Sequence, residues 1–460
     1  MKGLDTIKSV YFVGAGGIGM SALVRYFLSQ GKHVAGYDRT SSELTEQLNK
    51  EGASIHYEDN VALIPEYCRD KEQTLVVYTP AVPKEHGELT WFRTQGFEIQ
   101  KRAQVLGFIT RSRRGLCVAG THGKTTTSSM AAHLIYNSHV GTTAFLGGIS
   151  QNYGTNLLLS DKNDYVVIEA DEYDRSFHQL QPYMTVITST DPDHLDIYGT
   201  SEAYWDSFEE YTSLISPDGT LIIHEGLNIT PRVQEGVRVL TYSREKGDYH
   251  AENIRIGGGE IDFDFVHPNG VVKDIRLGVP LSINIDNGIA AMAMAQLVGV
   301  TDEELRAGML SFRGVERRFD FKLKTDAKVY LSDYAHHPAE IYQSALSIRE
   351  LYAGRKVTVI FQPHLYSRTQ DFYLEFAKSL SLFDEVILTD IYPAREVAIP
   401  GVTSALIYDN LDSGVEKLMI NKDEVLATVK AKKEELEVLV TLGAGDIENL
   451  APQITEILKG

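Results

Sequence analysis

Short, unbroken apolar runs recur along the chain, and most of them end in glycine or in an acid. They cover residues 7–13, 33–37 and 74–78, then 115–119, 164–168 and 184–188, and finally 329–331, 356–361, 386–389 and 438–442. Runs of this length without polar alternation predict strands buried on both faces, as parallel sheets require. Between them, apolar positions return at helical spacing over residues 20–30, 85–94, 124–136, 289–297 and 303–310. Strand and helix therefore alternate, which predicts an α/β fold with doubly wound sheets. One stretch breaks the rhythm. From Gly219 to about Leu281 the pattern becomes short strands and glycine turns, and predicts an antiparallel excursion.

Two polar stretches punctuate the rhythm, Arg111-Ser-Arg-Arg114 and the charged, glycine-containing residues 312–320. They divide the 460 residues into three expected domains, 1–110, 111–314 and 315–460. The net charge of −19 excludes nucleic acid and anionic membrane as natural partners, since both call for a basic face. The two cysteines, Cys68 and Cys117, lie far apart with neither disulfide nor metal spacing, which fits a reducing cytoplasm. The chain enters its first strand without a signal-peptide pattern, and no apolar run is long enough to span a bilayer.

The chemistry begins at Gly120-Thr121-His122-Gly123-Lys124-Thr125-Thr126, a loop between a predicted strand and a predicted helix. Such a loop cradles a polyphosphate with backbone N–H groups at a helix N-terminus. Lys124 is placed to reach the β/γ oxygens and the Thr125 hydroxyl to ligate Mg²⁺, so this is an ATP-type site. Two further strands end in acids, at Glu169-Ala-Asp171-Glu172-Tyr-Asp174 and at Asp191-Pro-Asp193-His194-Leu-Asp196. Carboxylates at the carboxyl ends of parallel strands suit Mg²⁺ beside phosphate. Near the N-terminus, Gly14-Ala-Gly16-Gly17-Ile-Gly19 sits between strand and helix, with Asp38 about 20 residues beyond. That fingerprint admits a nucleotide diphosphate, with NAD as its default reading. In the last domain all four strand ends open into polar or glycine-rich loops. Arg368 and Arg395 there are suited to clamp a carboxylate or phosphate. His336 and His337 precede a proline, and adjacent positions on extended chain point opposite ways, which argues against shared ligation.

Gly-Thr-His-Gly-Lys-Thr-Thr-Thr, Glu-Ala-Asp-Glu, Asp-His-Leu-Asp, Arg-Arg-Phe-Asp, Asp-Tyr-x-His-His-Pro and Phe-Gln-Pro-His-x-Tyr-Ser-Arg-Thr follow one another along essentially the whole chain. In this order they resemble the Mur ligases, and within them the branch that adds alanine. The resemblance implies a Rossmann-like domain for a UDP-sugar, a central P-loop-type ATPase domain with a parallel sheet, and a C-terminal Rossmann-like domain for the amino acid and part of ATP. It assigns the first fingerprint (Gly14, Gly16, Gly17, Gly19, with Asp38) to UDP and not NAD. The implied reaction joins L-alanine to the lactyl carboxylate of UDP-N-acetylmuramate through an acyl phosphate. It consumes ATP with Mg²⁺, for which Mn²⁺ would substitute. Thr125 and Glu169 would hold one metal ion and His194 a second; Asn284 and Asn287 would meet adenine, Asp333 the ribose and Arg318 the phosphates. His364 and Arg368 would act near the amino acid or the reacting carboxylate.

The sequence departs from the family's pattern in three places. Ile283 stands for a usual histidine, Leu365 for a usual arginine and Ala335 for a usual glycine. Sister ligases carry a carbamylated lysine soon after the Asp-His motif. No lysine occurs here between His194 and His224, as in the alanine-adding branch. The nearest competing expectation is the recycling ligase that joins murein tripeptide to the same UDP-sugar.

Overall fold

The buried apolar runs become the strands of three parallel-rich sheets in the computed structural model. It describes residues 6–79, 82–83, 85–162, 164–316, 319–394 and 396–460, with only the backbone of Asp196. The first sheet contains β1 (Ser9–Val13), β2 (His33–Tyr37), β3 (Ser54–His56), β4 (Thr74–Tyr78) and β5 (Glu98–Lys101). Their order is β3-β2-β1-β4-β5, parallel throughout. The chain leaves β1 toward one edge and later returns on its other side. That reversal opens a crevice at the carboxyl ends of β1 and β4, where doubly wound sheets bind ligands.

The middle sheet is built from β6 (Arg114–Ala119), β7 (Thr143–Ser150), β8 (Thr155–Leu158), β9 (Tyr165–Glu169), β10 (Met184–Ile187), β11 (Thr220–His224) and β12 (Arg238–Tyr242). The order is β12-β11-β10-β6-β9-β7-β8, and only β8 runs antiparallel. This corrects one expectation. The antiparallel excursion does not start at Gly219, because β11 and β12 continue the parallel sheet. Residues 221–223 are buried on both faces, as a central parallel strand requires. The helix-free connection to β12 hid the continuation. The excursion proper is a separate three-stranded sheet, β13 (His250–Gly257), β14 (Glu260–His267) and β15 (Gly270–Arg276).

The last sheet runs β16-β17-β21-β18-β19-β20, from β16 (Asp320–Lys324), β17 (Val329–Asp333), β18 (Val357–Phe361), β19 (Glu385–Leu388), β20 (Glu416–Met419) and β21 (Val438–Leu442). Only its edge strand β16 is antiparallel. The chain divides into two compact units, Met1–Glu252 with Asp264–Lys273 and Asp286–Phe312, and Asn253–Phe263 with Asp274–Ile285 and Arg313–Gly460.

Within the first unit, the helix Ile18–Ser29 lies against β7 and β8. Tyr26 meets Phe145 at 5.3 Å between ring centroids. Asn156, fully buried, donates to Ile18 O and Ser21 Oγ and accepts from Arg25 Nη1 at 2.6 Å. A buried amide with all its partners costs little and fixes orientation, so the first glycine loop is held against the middle sheet. A helix over Arg102–Ser112 covers part of what read as a polar linker. The helix Ile283–Leu297 begins earlier than its apolar period suggests. Its first turn holds a buried Asn284 whose amide donates to Val279 O. Among the described residues no helix is long and apolar enough to cross a membrane.

Candidate functional site

β6 is central in its sheet, and the loop after it turns on two glycines. Gly120 has φ +134°, and a Cβ there would fall 2.8 Å from the backbone nitrogen of Ser189. Gly123 caps the helix Lys124–Tyr136 in the left-handed region, with φ 80°. Both conformations come at low cost only to glycine. The loop is laced to the strand ends beside it: Thr121 Oγ1 donates to Asp191 O (2.7 Å), and His122 N–H to Ser189 Oγ (2.8 Å). Thr127 and Asn287 share a hydrogen bond of 3.1 Å behind it. The helix is buried from Thr127 to Ile135, and Gly308 lets a second helix close on Leu134. Its N-terminus is thereby rigid, and its free N–H groups and positive dipole end face the loop.

Lys124 folds back over this loop. Its ammonium donates to Gly120 O (2.6 Å), Thr121 O (3.2 Å) and Glu172 Oε1 (2.8 Å). Glu172 is 1 % exposed and its Oε2 has no partner. Glu169, at the end of β9, likewise has a buried Oε2 without a partner. Burial pushes the carboxyls of both acids above the ordinary range, against the pull of Lys124 on each and of the Thr125 hydroxyl on Glu169. Two buried carboxylates share one ammonium, and the Arg102 guanidinium acts on Glu169 from farther off. Orphaned acceptor oxygens beside a threonine hydroxyl are the donor set a hard divalent cation takes, so these residues fit Mg²⁺.

His194 also has a left-handed backbone, φ 53°, and its ring stands edge-to-face on Tyr173 at 5.1 Å. Tyr173 follows Glu172 and lines a cavity of about 490 Å³ that also touches Glu169, Asp171, Arg102, Gly17 and Gly19. Arg102 pairs with Asp171 at 3.4 Å, and Lys101 with Asp174 at 2.9 Å. At the other glycine loop, Gly16 N–H donates to Asp38 Oδ2 at 2.6 Å. The structure thus brings Gly120, Thr121, Gly123, Lys124, Thr125, Glu169 and Asn287 to one place, with Gly17 and Gly19 across the cavity. His122 is exposed, and Thr126 lies in the helix's first turn. A separate ligand-like cluster, Asp59, His86 and Glu88, has its atoms within 4.8 Å. Asp59 there serves the backbone N–H groups of Gly87 and Glu88, while Tyr11 OH and Asn60 N–H donate to Glu88. It is tied up in capping the helix Gly87–Thr94.

In the second unit, β21 lies between β17 and β18. Gln362, after β18, donates to Asp446 and accepts from Ile447 N–H. Ser344 Oγ donates to Asp333. Arg368 Nη1 lies 3.2 Å from His364 Nδ1. Because arginine only donates, Nδ1 accepts, and the neutral ring carries its proton on Nε2. Burial, Arg368 and His336 all hold the His364 pKa below the ordinary value. Leu365 between them is strained, with φ 74°. His336 and His337 do diverge: one ring faces Glu340 and His364, and the other caps its helix and meets Phe372. Arg318 and Arg395 lie outside the described residues.

Family models described as Mur ligase family catalytic domain, Mur ligase middle domain and Mur ligase glutamate ligase domain match residues 9–114, 118–295 and 317–445. A UDP-N-acetylmuramate–L-alanine ligase of Phocaeicola vulgatus is 66 % identical, over 99 % of this chain and 99 % of its own. The chain belongs to the Mur ligase family. A second such ligase, from Parabacteroides distasonis, is 63 % identical over 99 % of this chain and 98 % of its own. Among solved Mur ligases, the UDP-N-acetylmuramate–alanine ligase of Thermotoga maritima superposes with a TM-score of 0.81 at 28 % identity, covering 98 % and 99 % of the two chains. A murein peptide ligase from Psychrobacter arcticus shares the fold, with a TM-score of 0.65 at 20 % identity over 98 % of each chain.

Two residues lining this place were not singled out in the sequence. Glu172 belongs to the Glu-Ala-Asp-Glu motif, but nothing in the motif separates it from Asp171 until its burial is seen. Arg102 stands at the start of an unpredicted helix, whose spacing Ala103, Leu106, Ile109 and Thr110 was the available signal.

Proposed function

We infer that this chain joins L-alanine to UDP-N-acetylmuramate at the expense of ATP, a step of peptidoglycan precursor synthesis. The observation that carries the substrates is the 66 % identity, over the full length of both chains, to a ligase named for them. For the phosphoryl step the support is Lys124 set between two buried carboxylates at a glycine-flanked helix N-terminus. The three stretches 1–110, 111–314 and 315–460 would serve the UDP-sugar, the ATP phosphates, and the amino acid with part of the ATP.

The lactyl carboxylate attacks the γ-phosphorus, the β–γ bridging P–O bond breaks, and ADP leaves an acyl phosphate. The neutral amine of alanine then adds to the acyl carbon. Collapse of the tetrahedral intermediate breaks the C–O bond to phosphate and leaves the amide, and the amine's spare proton goes to solvent. Phosphoryl transfer depends on positioning and charge more than on covalent help. Lys124 and the backbone of residues 120–126 hold the phosphates; Thr125 and Glu169 would hold Mg²⁺, and His194 a second ion. When bound, the metal neutralises charge gathering on the transferred phosphoryl group. Asn284 and Asn287, one turn apart on one helix, and Asp333 would receive adenosine. Gly14, Gly16, Gly17, Gly19 and Asp38 would hold the UDP part. Arg368 would clamp the amino-acid carboxylate, while His364 donates from Nε2 to an oxygen of the reacting centre. The test is phosphate release from ATP with UDP-N-acetylmuramate, comparing alanine, glycine, serine and murein tripeptide. Alanine should give the highest kcat/KM; a preference for tripeptide would assign the recycling reaction instead.

A further inference from the structure

We propose that Glu172 is a positioning residue that holds Lys124 across the phosphate loop and makes the loop reject nucleotide arriving without a divalent cation. The inference rests on reading this loop as the ATP site. Lys124 has three N–H donors, and all three are used inside the protein, two on loop carbonyls and one on Glu172. A phosphate oxygen must therefore displace one of them. The contact with Glu172 is the one that comes from outside the loop, from the segment after β9.

Glu172 cannot follow the lysine or retreat to water. Its backbone carbonyl accepts from the Tyr198 hydroxyl and from Arg175 N–H at 3.0 Å. The chain then turns sharply through Asp174 and Arg175, with φ 52° and 53°. Its second oxygen is already without a partner, so losing Lys124 would leave a buried carboxylate with only its own backbone N–H for support, a costly state in the interior. Lys124 acts on the Glu169 carboxylate as well, so a second acid draws on the same ammonium. Metal-free ATP brings only negative charge to this pair. ATP carrying Mg²⁺ brings the positive charge that lets Lys124 turn to the phosphates. The three-residue spacing of Glu169 and Glu172 thus places one acid to meet a cation and the other to withhold the lysine until that cation comes.

The experiment is calorimetric titration of the whole protein with ATP in EDTA and with ATP in excess Mg²⁺, without the other substrates, on the wild type, Glu172→Gln and Glu172→Asp. Wild type should prefer the Mg²⁺ form strongly. Glu172→Gln keeps the side chain's size and one acceptor but drops the charge. It should bind metal-free ATP about tenfold more tightly while its affinity for the Mg²⁺ form changes by less than about threefold. Glu172→Asp keeps the charge and should keep the wild-type ratio. An unchanged ratio in Glu172→Gln, a parallel loss in both arms, or a ratio lost equally in Glu172→Asp overturns the inference and leaves the ATP site standing. Wild type that binds ATP in neither condition overturns the site itself. A check independent of the variants is acylation of wild-type Lys124 by an amine-directed reagent, followed by peptide mass spectrometry. It should be much slower than at exposed lysines such as Lys246, and equal rates would overturn the proposal.

Discussion

The loop after β1 and the loop after β6 each leave the middle of a parallel sheet and enter a long helix, and they are equipped differently. The first enters Ile18–Ser29 through Gly17, with no lysine in the loop itself, the Arg102 guanidinium lying against Gly19 from another helix, and one rim acid, Asp38, bound to Gly16 N–H. The second enters Lys124–Tyr136 with a lysine as its first helical residue, and two carboxylates with bare oxygens beside it. A backbone cradle with one guanidinium beside it, itself paired with Asp171, suffices to hold a diphosphate that does not react. A phosphoryl group in transit needs charge that can be rearranged. On the function proposed above, the first loop binds and the second carries the chemistry.

The largest effect should come from Lys124→Ala. Removing the one ammonium should cut ligation at least about 10²-fold, the scale for losing a preorganised charge stabiliser, with an unchanged circular dichroism spectrum. Phosphate release on the folded variant is the check, and near-normal turnover would end the distinction between the loops. Next is Gly120→Ala. The added Cβ meets backbone at Ser189, and φ +134° is foreign to alanine. A cost of about 1–3 kcal/mol in stability is expected, with ATP affinity lost and UDP-sugar affinity retained. Equal loss of both ligands in calorimetry would show that the loops do not act separately.

A pH effect should also localise to the second loop's helix. His133 is buried there between Ser311 and Tyr153, and burial lowers its pKa to about 4. The folded form keeps the ring neutral, whereas the unfolded chain takes up a proton below about pH 6.5. The unfolded state therefore binds more protons between these values, and stability falls as pH is lowered through that window. At the lower end the loss is up to about 3 kcal/mol. Urea melts of wild type and His133→Gln at pH 7 and pH 4.5 would measure it. A wild-type stability that falls no more than the variant's would remove His133 as the acid-sensitive group.

The plan of the molecule was legible because buried parallel strands announce themselves as unbroken apolar runs. That is how residues 33–37, 74–78 and 438–442 could be placed to the residue. The second loop's lysine and threonine were legible because their positions follow from a local rule, strand then glycine then helix. Burial is different, since it is created by the rest of the fold. Glu172 becomes distinctive only when Tyr198 and the turn at Asp174 close over it. β11 and β12 read as an excursion because membership of a sheet depends on a distant neighbour, here β10. The docking of Ile18–Ser29 on β8 through Asn156 joins residues about 130 positions apart, and no local pattern encodes it.

The smallest effect should come from Asp38→Asn, and it tests the quiet side of the comparison. The Asp38 carboxylate accepts from Gly16 N–H at 2.6 Å, a charge-assisted bond that shapes the glycine turn. Asparagine keeps an acceptor oxygen in the same place and drops the charge. Since an ionised acceptor is worth roughly twice a neutral one, the change should cost about 1 kcal/mol, or about fivefold in affinity for the UDP-sugar. If this loop only binds, the loss should appear in KM for UDP-N-acetylmuramate while kcat at saturation stays within about twofold, because ground state and transition state lose the same contact. Steady-state kinetics with the UDP-sugar varied and ATP and alanine saturating separates the two constants. A fall in kcat approaching that of Lys124→Ala would mean that Asp38 acts on the reacting groups, and the division of labour between the loops would fail.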